Sequence, residues 1–366
     1  MPALSPTHAE IDLRNRCTCW LNGHRPLRSM RESLLALAEL PEAAGALDVY
    51  GDGAVLQALE AQGAALLGLP VAQFWHKGVA AQLAALRGWC GDTAGPVVVH
   101  PQSHLALDEA DALEVLMGLR ALRVGAPDTP LALADLQALD EKPAVVVVEL
   151  PLRRAGFRLP DWDELVAISA WCRAHGVRLH LDGARLWESA PHYGRPLAEI
   201  CALADSVYVS FYKGLGGLAG SLLAGPADFI AALAPWKTRL AGNVYTLYPM
   251  VLSALDGLRR QLPRMAAYRE RARALAAALA DLPGAQLAPQ PPHTNSFQLH
   301  LPADPARLRE ALLAQAEATG FWLGNRAQPS TRLAGGAMVE IVIGDAADGW
   351  SDEPAVAAWR AVLARC

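Results

Sequence analysis

Short apolar runs alternate with helical patterns over most of this chain. Residues Pro96–His100, Ala121–Val124, Ala144–Glu149, Val177–Leu181, Ser206–Ser210 and Ser221–Ala224 each read as a buried strand of about five residues. Gln73–Trp75 is a shorter one. Helical spacing covers Leu27–Leu40, Val55–Leu67, Gly78–Trp89, Asp108–Leu119, Thr129–Leu139 and Asp161–His175. Gly68 and Gly176 stand where helices commonly stop. Strands that are apolar on both faces and separated by helices predict a mostly parallel sheet covered on both sides. Helix-rich sequence from Tyr248 to Leu282 ends at Pro283-Gly284. Asn295–Leu301, a helix over Pro305–Thr319 and Met338–Ile343 then predict a smaller α+β domain. The expected division is an irregular N-terminal arm with a first helix (1–35), a large domain (36–255) and a small C-terminal domain (256–366).

The bulk numbers allow this organisation. The chain has 366 residues, of which 52% are hydrophobic and 19% charged, enough apolar content for a large core and too much for extensive disorder. A net charge of −5 gives no electrostatic reason to expect nucleic acid or an anionic membrane as partner. No apolar run approaches the ~20 residues of a membrane span. The N-terminus has no apolar signal core, so a cytoplasmic location is expected. Six cysteines show no paired C-x-x-C spacing, which suits a reducing compartment. Cys17-x-Cys19 with His24 is at most half a metal site, and no resident metal is expected.

Two motifs carry the candidate chemistry. His180-Leu-Asp182-Gly-Ala-Arg185 ends one apolar strand, and Tyr212-Lys213-Gly214-Leu-Gly216-Gly217 follows another. Asp182 lies at the carboxyl end of its strand, where open α/β sheets form ligand crevices. An apolar strand leading into Lys213 argues against a solvated lysine, and burial lowers a lysine pKa. The glycines around Lys213 precede a strand-like run, which argues against a dinucleotide turn. Lys77-Gly78-Val79 open a helix, where free N–H groups and an added cation favour an anion. His104 lies just past a strand end. Glu149 closes an apolar strand, where a carboxylate needs a partner or a site. The ten tryptophans, Trp75 and Trp187 among them, read as core ahead of an apolar substrate pocket.

From Tyr50 to Gly225 these residues resemble the low-specificity threonine aldolases and related β-eliminating lyases, a branch of the fold-type I pyridoxal phosphate (PLP) enzymes. The family's Tyr-Gly-Asp stands at Tyr50-Gly51-Asp52, its H-x-D-G-A-R at His180–Arg185, and its Ser-Lys-Gly-Leu-Gly reads Tyr212–Gly216. Its Ser-Gly-Thr phosphate turn falls on Lys77-Gly78-Val79 and its ring-stacking histidine on His104. The resemblance implies an aspartate-aminotransferase-like α/β fold with PLP as cofactor. Lys213 would carry the cofactor, Asp182 would face its pyridine nitrogen, and residues 77–79 would grip its phosphate. Lys213, Asp182 and His104 are the expected catalytic residues. Arg185, Glu149 and Arg332 are the expected substrate contacts.

The implied activity is retro-aldol cleavage of a β-hydroxy-α-amino acid, of threonine or phenylserine type, to glycine and an aldehyde. β-Elimination, transamination and a non-catalytic PLP-binding protein are the alternatives. A homodimer or homotetramer is implied, with the N-terminal arm reaching the partner subunit. Some family positions differ here. The phosphate turn lacks its hydroxyls, leaving charge on Lys77 to compensate. The Glu-Asn-Thr-His segment becomes Glu149-Leu-Pro-Leu152, with Arg153 or Arg154 as partial substitutes. The C-terminal arginine aligns near Glu340, which makes Arg326 or Arg332 its stand-in.

Overall fold

The computed structural model describes residues 7–27, 29–91 and 95–366. In chain order its strands are β1 (Cys19–Trp20), β2 (Val71–Trp75), β3 (Val97–Val99), β4 (Ala121–Arg123), β5 (Val145–Glu149), β6 (Arg178–Gly183) and β7 (Ser206–Ser210). They continue with β8 (Ser221–Gly225), β9 (Gln286–Ala288), β10 (Ser296–Leu301), β11 (Phe321–Trp322), β12 (Gln328–Pro329) and β13 (Ala337–Val342). The chain divides into two compact units, one from Leu35 to Pro263 and one that joins the N-terminal residues up to Leu34 to Arg264–Cys366.

The larger unit is built on a seven-stranded sheet of order β2-β8-β7-β6-β5-β3-β4. Its strands run parallel except β8, which is antiparallel to both neighbours. The sheet is mostly parallel, as the continuous apolar runs predict. Val97–Val99 and Val145–Val148 are buried on both faces, the expected environment of such strands. The helix Gly78–Cys90 crosses one face with small residues. Ala80, Ala81, Ala84 and Ala85 pack among Trp75, Tyr208 and Leu223, so the helix lies close to the strands. Trp75 and Trp187 are fully buried core residues.

Register does the positioning. β5, β6 and β7 pair so that Glu149 lies beside Asp182 and Asp182 beside Tyr208, one row at the carboxyl ends of three parallel strands. Two residues earlier, His180 lies beside Ser206.

Some elements differ from their sequence expectation. Of the helix predicted over Asp108–Leu119 only Ala112–Val115 forms, preceded by a separate short helix, His104–Leu107. Ala110 and Asp111 between them have φ of 51° and 55°, a left-handed backbone that no right-handed helix can pass through. The helix predicted over Thr129–Leu139 shrinks to Leu133–Gln137, past Pro130. The helix expected over Leu27–Leu40 is Met30–Ala38. Of the segment expected there from Leu27, Arg28 lies outside the described residues, as do residues 1–6 of the N-terminal arm.

The other unit carries a four-stranded antiparallel sheet, β12-β13-β10-β9, with the helix Pro305–Thr319. The stretch expected to be an irregular arm holds a capped helix, His8–Arg16, and β1 pairs in parallel with β11. Leu13, Cys17 and Trp20 share a core with Ala316 and Trp322. This unit therefore takes in both ends of the chain. The expected boundary near residue 255 falls inside the helix Tyr248–Arg260, and the units divide at 263–264, after Pro263 has interrupted the helical run. Among the described residues no helix is long and apolar enough to cross a membrane. No group of three or more His, Cys, Asp or Glu among them could hold a metal ion.

Candidate active site

A cleft opens at the carboxyl ends of β6 and β7, beside the start of the helix Gly78–Cys90. Lys77, Val79, His104, Asp182 and Lys213 line it, together with Gln82, Glu109, Ala184, Tyr208 and Tyr212. Five residues singled out from the sequence thus meet in one place.

Asp182 is 2% exposed, and its Oδ1 accepts the Ala184 N–H at 3.1 Å. That bond leaves the second carboxylate oxygen uncommitted within the hydrogen bonds described. Lys213 lies three residues past β7, in a loop closed by Gly216 N–H to Lys213 O (3.0 Å) and Gly217 N–H to Phe211 O (2.8 Å). Burial and the Arg185 guanidinium push the Lys213 ammonium down to about 8, against the opposing pull of Asp182, Glu149 and Glu188. An amine in that range is available as a nucleophile near neutral pH.

Lys77 caps the helix that starts at Gly78, without a side-chain bond to the helix. The first-turn N–H groups of a helix have no intrahelical acceptor, which suits an anion. The Lys77 ammonium lies 5.2 Å from the centre of the Tyr212 ring, and Lys213 Nζ lies 5.9 Å from it, so one ring adjoins both cations. A Cβ at Gly78 would overlap the Tyr208 hydroxyl, so only glycine fits at this helix start.

His104 is fixed by two carboxylates. Its backbone N–H donates to Glu149 Oε2 at 2.8 Å, and its Nδ1 pairs with Glu109 Oε1 at 2.9 Å. The Glu109 bond raises the His104 pKa, against burial. The Glu109 side chain is 1% exposed, and its Oε2 is buried with no partner.

Glu149 does not line the cleft in the manner of a substrate contact. Its second oxygen accepts the Arg153 N–H at 3.1 Å, so both oxygens bind loop backbone. Burial and the neighbouring Asp182 push its carboxyl up to about 7. Arg154 is committed to a bidentate pair with Asp108. Arg185 is half-buried, with its guanidinium 5.4 Å from the centre of the Phe157 ring. Arg332 belongs to the other unit, where it is exposed and its N–H bonds Ser330 Oγ.

Sequence reasoning missed Glu109, Tyr208 and Gln82 in the cleft, and Glu188 behind it. Glu188 is buried, its carboxyl pushed above its usual pKa by burial, and it fills the space where a Cβ on Gly214 would go. The available signal was a charged residue within an apolar helical pattern, as at Leu186-Trp187-Glu188-Ser189.

The residues present suit PLP. An amine, a buried carboxylate and a helix start beside a free-standing lysine match its aldehyde, its pyridine nitrogen and its phosphate. Known proteins agree. A crystal structure described as a candidate aromatic amino acid beta-eliminating lyase/threonine aldolase, from Exiguobacterium sp. 255-15, is 36% identical, with a TM-score of 0.90 over 97% of this chain and 99% of that one. A candidate L-allo-threonine aldolase from Listeria monocytogenes EGD-E is 34% identical, with a TM-score of 0.90 over the same shares. The low specificity L-threonine aldolase of Escherichia coli K12 is 29% identical over 261 residues, 70% of this chain and 74% of that protein. Residues 24–303 match the beta-eliminating lyase family, a stretch that takes in the strand ends carrying Asp182 and Lys213; the chain belongs to that family of PLP-dependent lyases.

Proposed function

We propose that this protein cleaves β-hydroxy-α-amino acids of the threonine or phenylserine type to glycine and an aldehyde. The observation that carries this reading is the meeting of Lys213, Asp182 and the Glu109-bound His104 in one cleft. Bound there, PLP supplies a ring that accepts the electron pair left at Cα when the Cα–Cβ bond breaks.

The protein's own groups do the rest. Lys213 holds the cofactor and exchanges a proton at Cα. Asp182 would face the pyridine nitrogen and favour its protonated form. Lys77 and the N–H groups of Gly78 and Val79 grip the phosphate, with the lysine's charge in place of the missing hydroxyls. Arg185 holds the substrate carboxylate and so sets which bond at Cα is aligned. When His104 gives its Nδ1–H to Glu109, its Nε2 is left bare to accept the proton of the β-hydroxyl. Glu149 fixes the backbone of His104 and Arg153.

The same reading includes a homodimer or homotetramer. Leu47, Val49, Tyr50 and Tyr245 are apolar or aromatic residues 47–69% exposed, and the Tyr50 and Tyr245 rings meet edge to face at 5.3 Å. Six free thiols suit a reducing cytoplasm. The test incubates the PLP-loaded protein with L-threonine, L-allo-threonine and phenylserine. Glycine with the matching aldehyde supports the reading. A keto acid with ammonia replaces it by β-elimination.

A further inference from the structure

Beneath the helix Gly78–Cys90, a chain of hydrogen bonds runs toward the buried side of Asp182. The Trp89 indole donates Nε1–H to Ser206 Oγ at 2.8 Å. Ser206 Oγ is also 2.8 Å from His180 Nδ1. An indole N–H can only donate, so Ser206 Oγ accepts from Trp89. The Ser206 hydroxyl hydrogen then needs an acceptor. His180 Nδ1 is the one acceptor in its reach among the described residues. Nδ1 therefore carries no hydrogen. The ring is fully buried and neutral, since burial pushes its pKa down to about 4. The single ring proton must be on Nε2, which is buried and has no partner.

A buried N–H without an acceptor is costly. His180 and Asp182 are two apart on β6 and share a face, with Cα atoms ~6.6 Å apart by strand geometry. Nε2 makes no direct bond to the carboxylate, so a ring and a carboxylate across that span meet through one water. Register makes the same point from the neighbouring strand: Ser206 is opposite His180, and Tyr208 is opposite Asp182.

We propose that His180 is a positioning residue for Asp182: the Trp89–Ser206 pair locks its ring as the Nε2–H tautomer, and that N–H serves the Asp182 carboxylate from its buried side through one bridging water. Asp182 is then oriented from two sides, by the Ala184 N–H directly and by His180 through that water, with its free oxygen left for the cofactor's pyridine nitrogen. Only this last step rests on the proposed lyase reading.

The first measurement uses apo protein labelled with 15N-histidine. His180 is expected to give an unprotonated Nδ1 and a protonated Nε2, and Ser206→Ala to lose that single-tautomer signature. A proton on Nδ1 in the wild type overturns the proposal. The second measurement uses protein loaded with PLP labelled at the pyridine nitrogen. In His180→Asn that nitrogen's resonance is expected to move toward the unprotonated value at unchanged pH, with cofactor affinity about tenfold weaker. An unchanged resonance and affinity overturn the proposal. Ser206→Ala supplies both readouts if His180→Asn does not fold. Glycine release by the wild type is measured separately, so failure of the lyase reading leaves the tautomer result standing.

Discussion

The floor and the rim of the cleft are held by different means. The floor is strand-end backbone: Asp182 on β6 and Tyr208 on β7, locked by parallel pairing, with Lys213 three residues beyond β7. The rim is loop and helix start, and its residues are held by side chains. Glu109 holds the His104 ring, Glu149 binds the N–H groups of His104 and Arg153, and Arg154 grips Asp108. A sheet position costs little to maintain, because many ladder bonds share the load. A rim position depends on one or two bonds, so single substitutions move it. The proposed function puts the chemistry common to PLP enzymes on the floor and the choice of substrate and bond on the rim.

That contrast can be broken most sharply at Lys213. Lys213→Ala is expected to abolish the PLP absorbance band that borohydride removes from the wild type, and to lower turnover on the order of 10⁴-fold. Turnover within tenfold of wild type would remove the floor from the chemistry. A stability measurement on the apo protein sharpens the point. Burial lowers the Lys213 pKa to about 8 from its ordinary 10.5, so between those limits the unfolded chain binds more protons than the folded one. Wild-type stability relative to Lys213→Met therefore rises as pH climbs from 8 to 10.5. Chemical denaturation across that range reads the trend, and a flat difference refutes it.

Asp182→Asn comes next. It is expected to keep PLP bound yet cost about 10²–10³-fold in turnover, because the charge facing the pyridine nitrogen is gone. On the rim, Glu109→Gln is expected to lower kcat by roughly tenfold to a hundredfold. Glu109 raises the His104 pKa, so its removal also moves the acidic limb of the pH–rate profile to lower pH. A limb that stays put detaches His104 from proton transfer. Lys77→Met is expected to weaken PLP binding about tenfold with kcat at saturation little changed, read by fluorescence titration. Smallest of all, Arg154→Leu removes a partly exposed ion pair and should cost ~1 kcal/mol or less in thermal unfolding.

The two regions were also unequally legible in the chain. Asp182 and Lys213 stand in contiguous motifs at the ends of apolar strands, and such strands were readable from composition alone. The start of the helix at Gly78 was readable for the same reason. Glu109 was hidden because an unbroken helical pattern over Asp108–Leu119 predicts a solvated face there. The left-handed residues Ala110 and Asp111 break that helix and turn the carboxylate inward. Glu149 was marked as a carboxylate needing a partner, but its partners are backbone N–H groups, which carry no residue-specific signal. The pairing of both chain ends in one unit was unreadable too, since β1 and β11 are two residues each and too short for a period.

By itself, the order of residues determined the run of strands and helices, the parallel character of the main sheet, and the two motifs that bear the amine and the acid. Periodicity and local backbone preference act over a few positions, and these features are that short. Which strand lies beside which, and in what register, was decided only in three dimensions. Glu149, Asp182 and Tyr208 form a row, His180 faces Ser206, and Trp89 reaches Ser206, because packing of the helix Gly78–Cys90 on the sheet brings distant segments together. No fixed spacing along the chain encodes such neighbours. They follow from burying the apolar faces of whole elements at once.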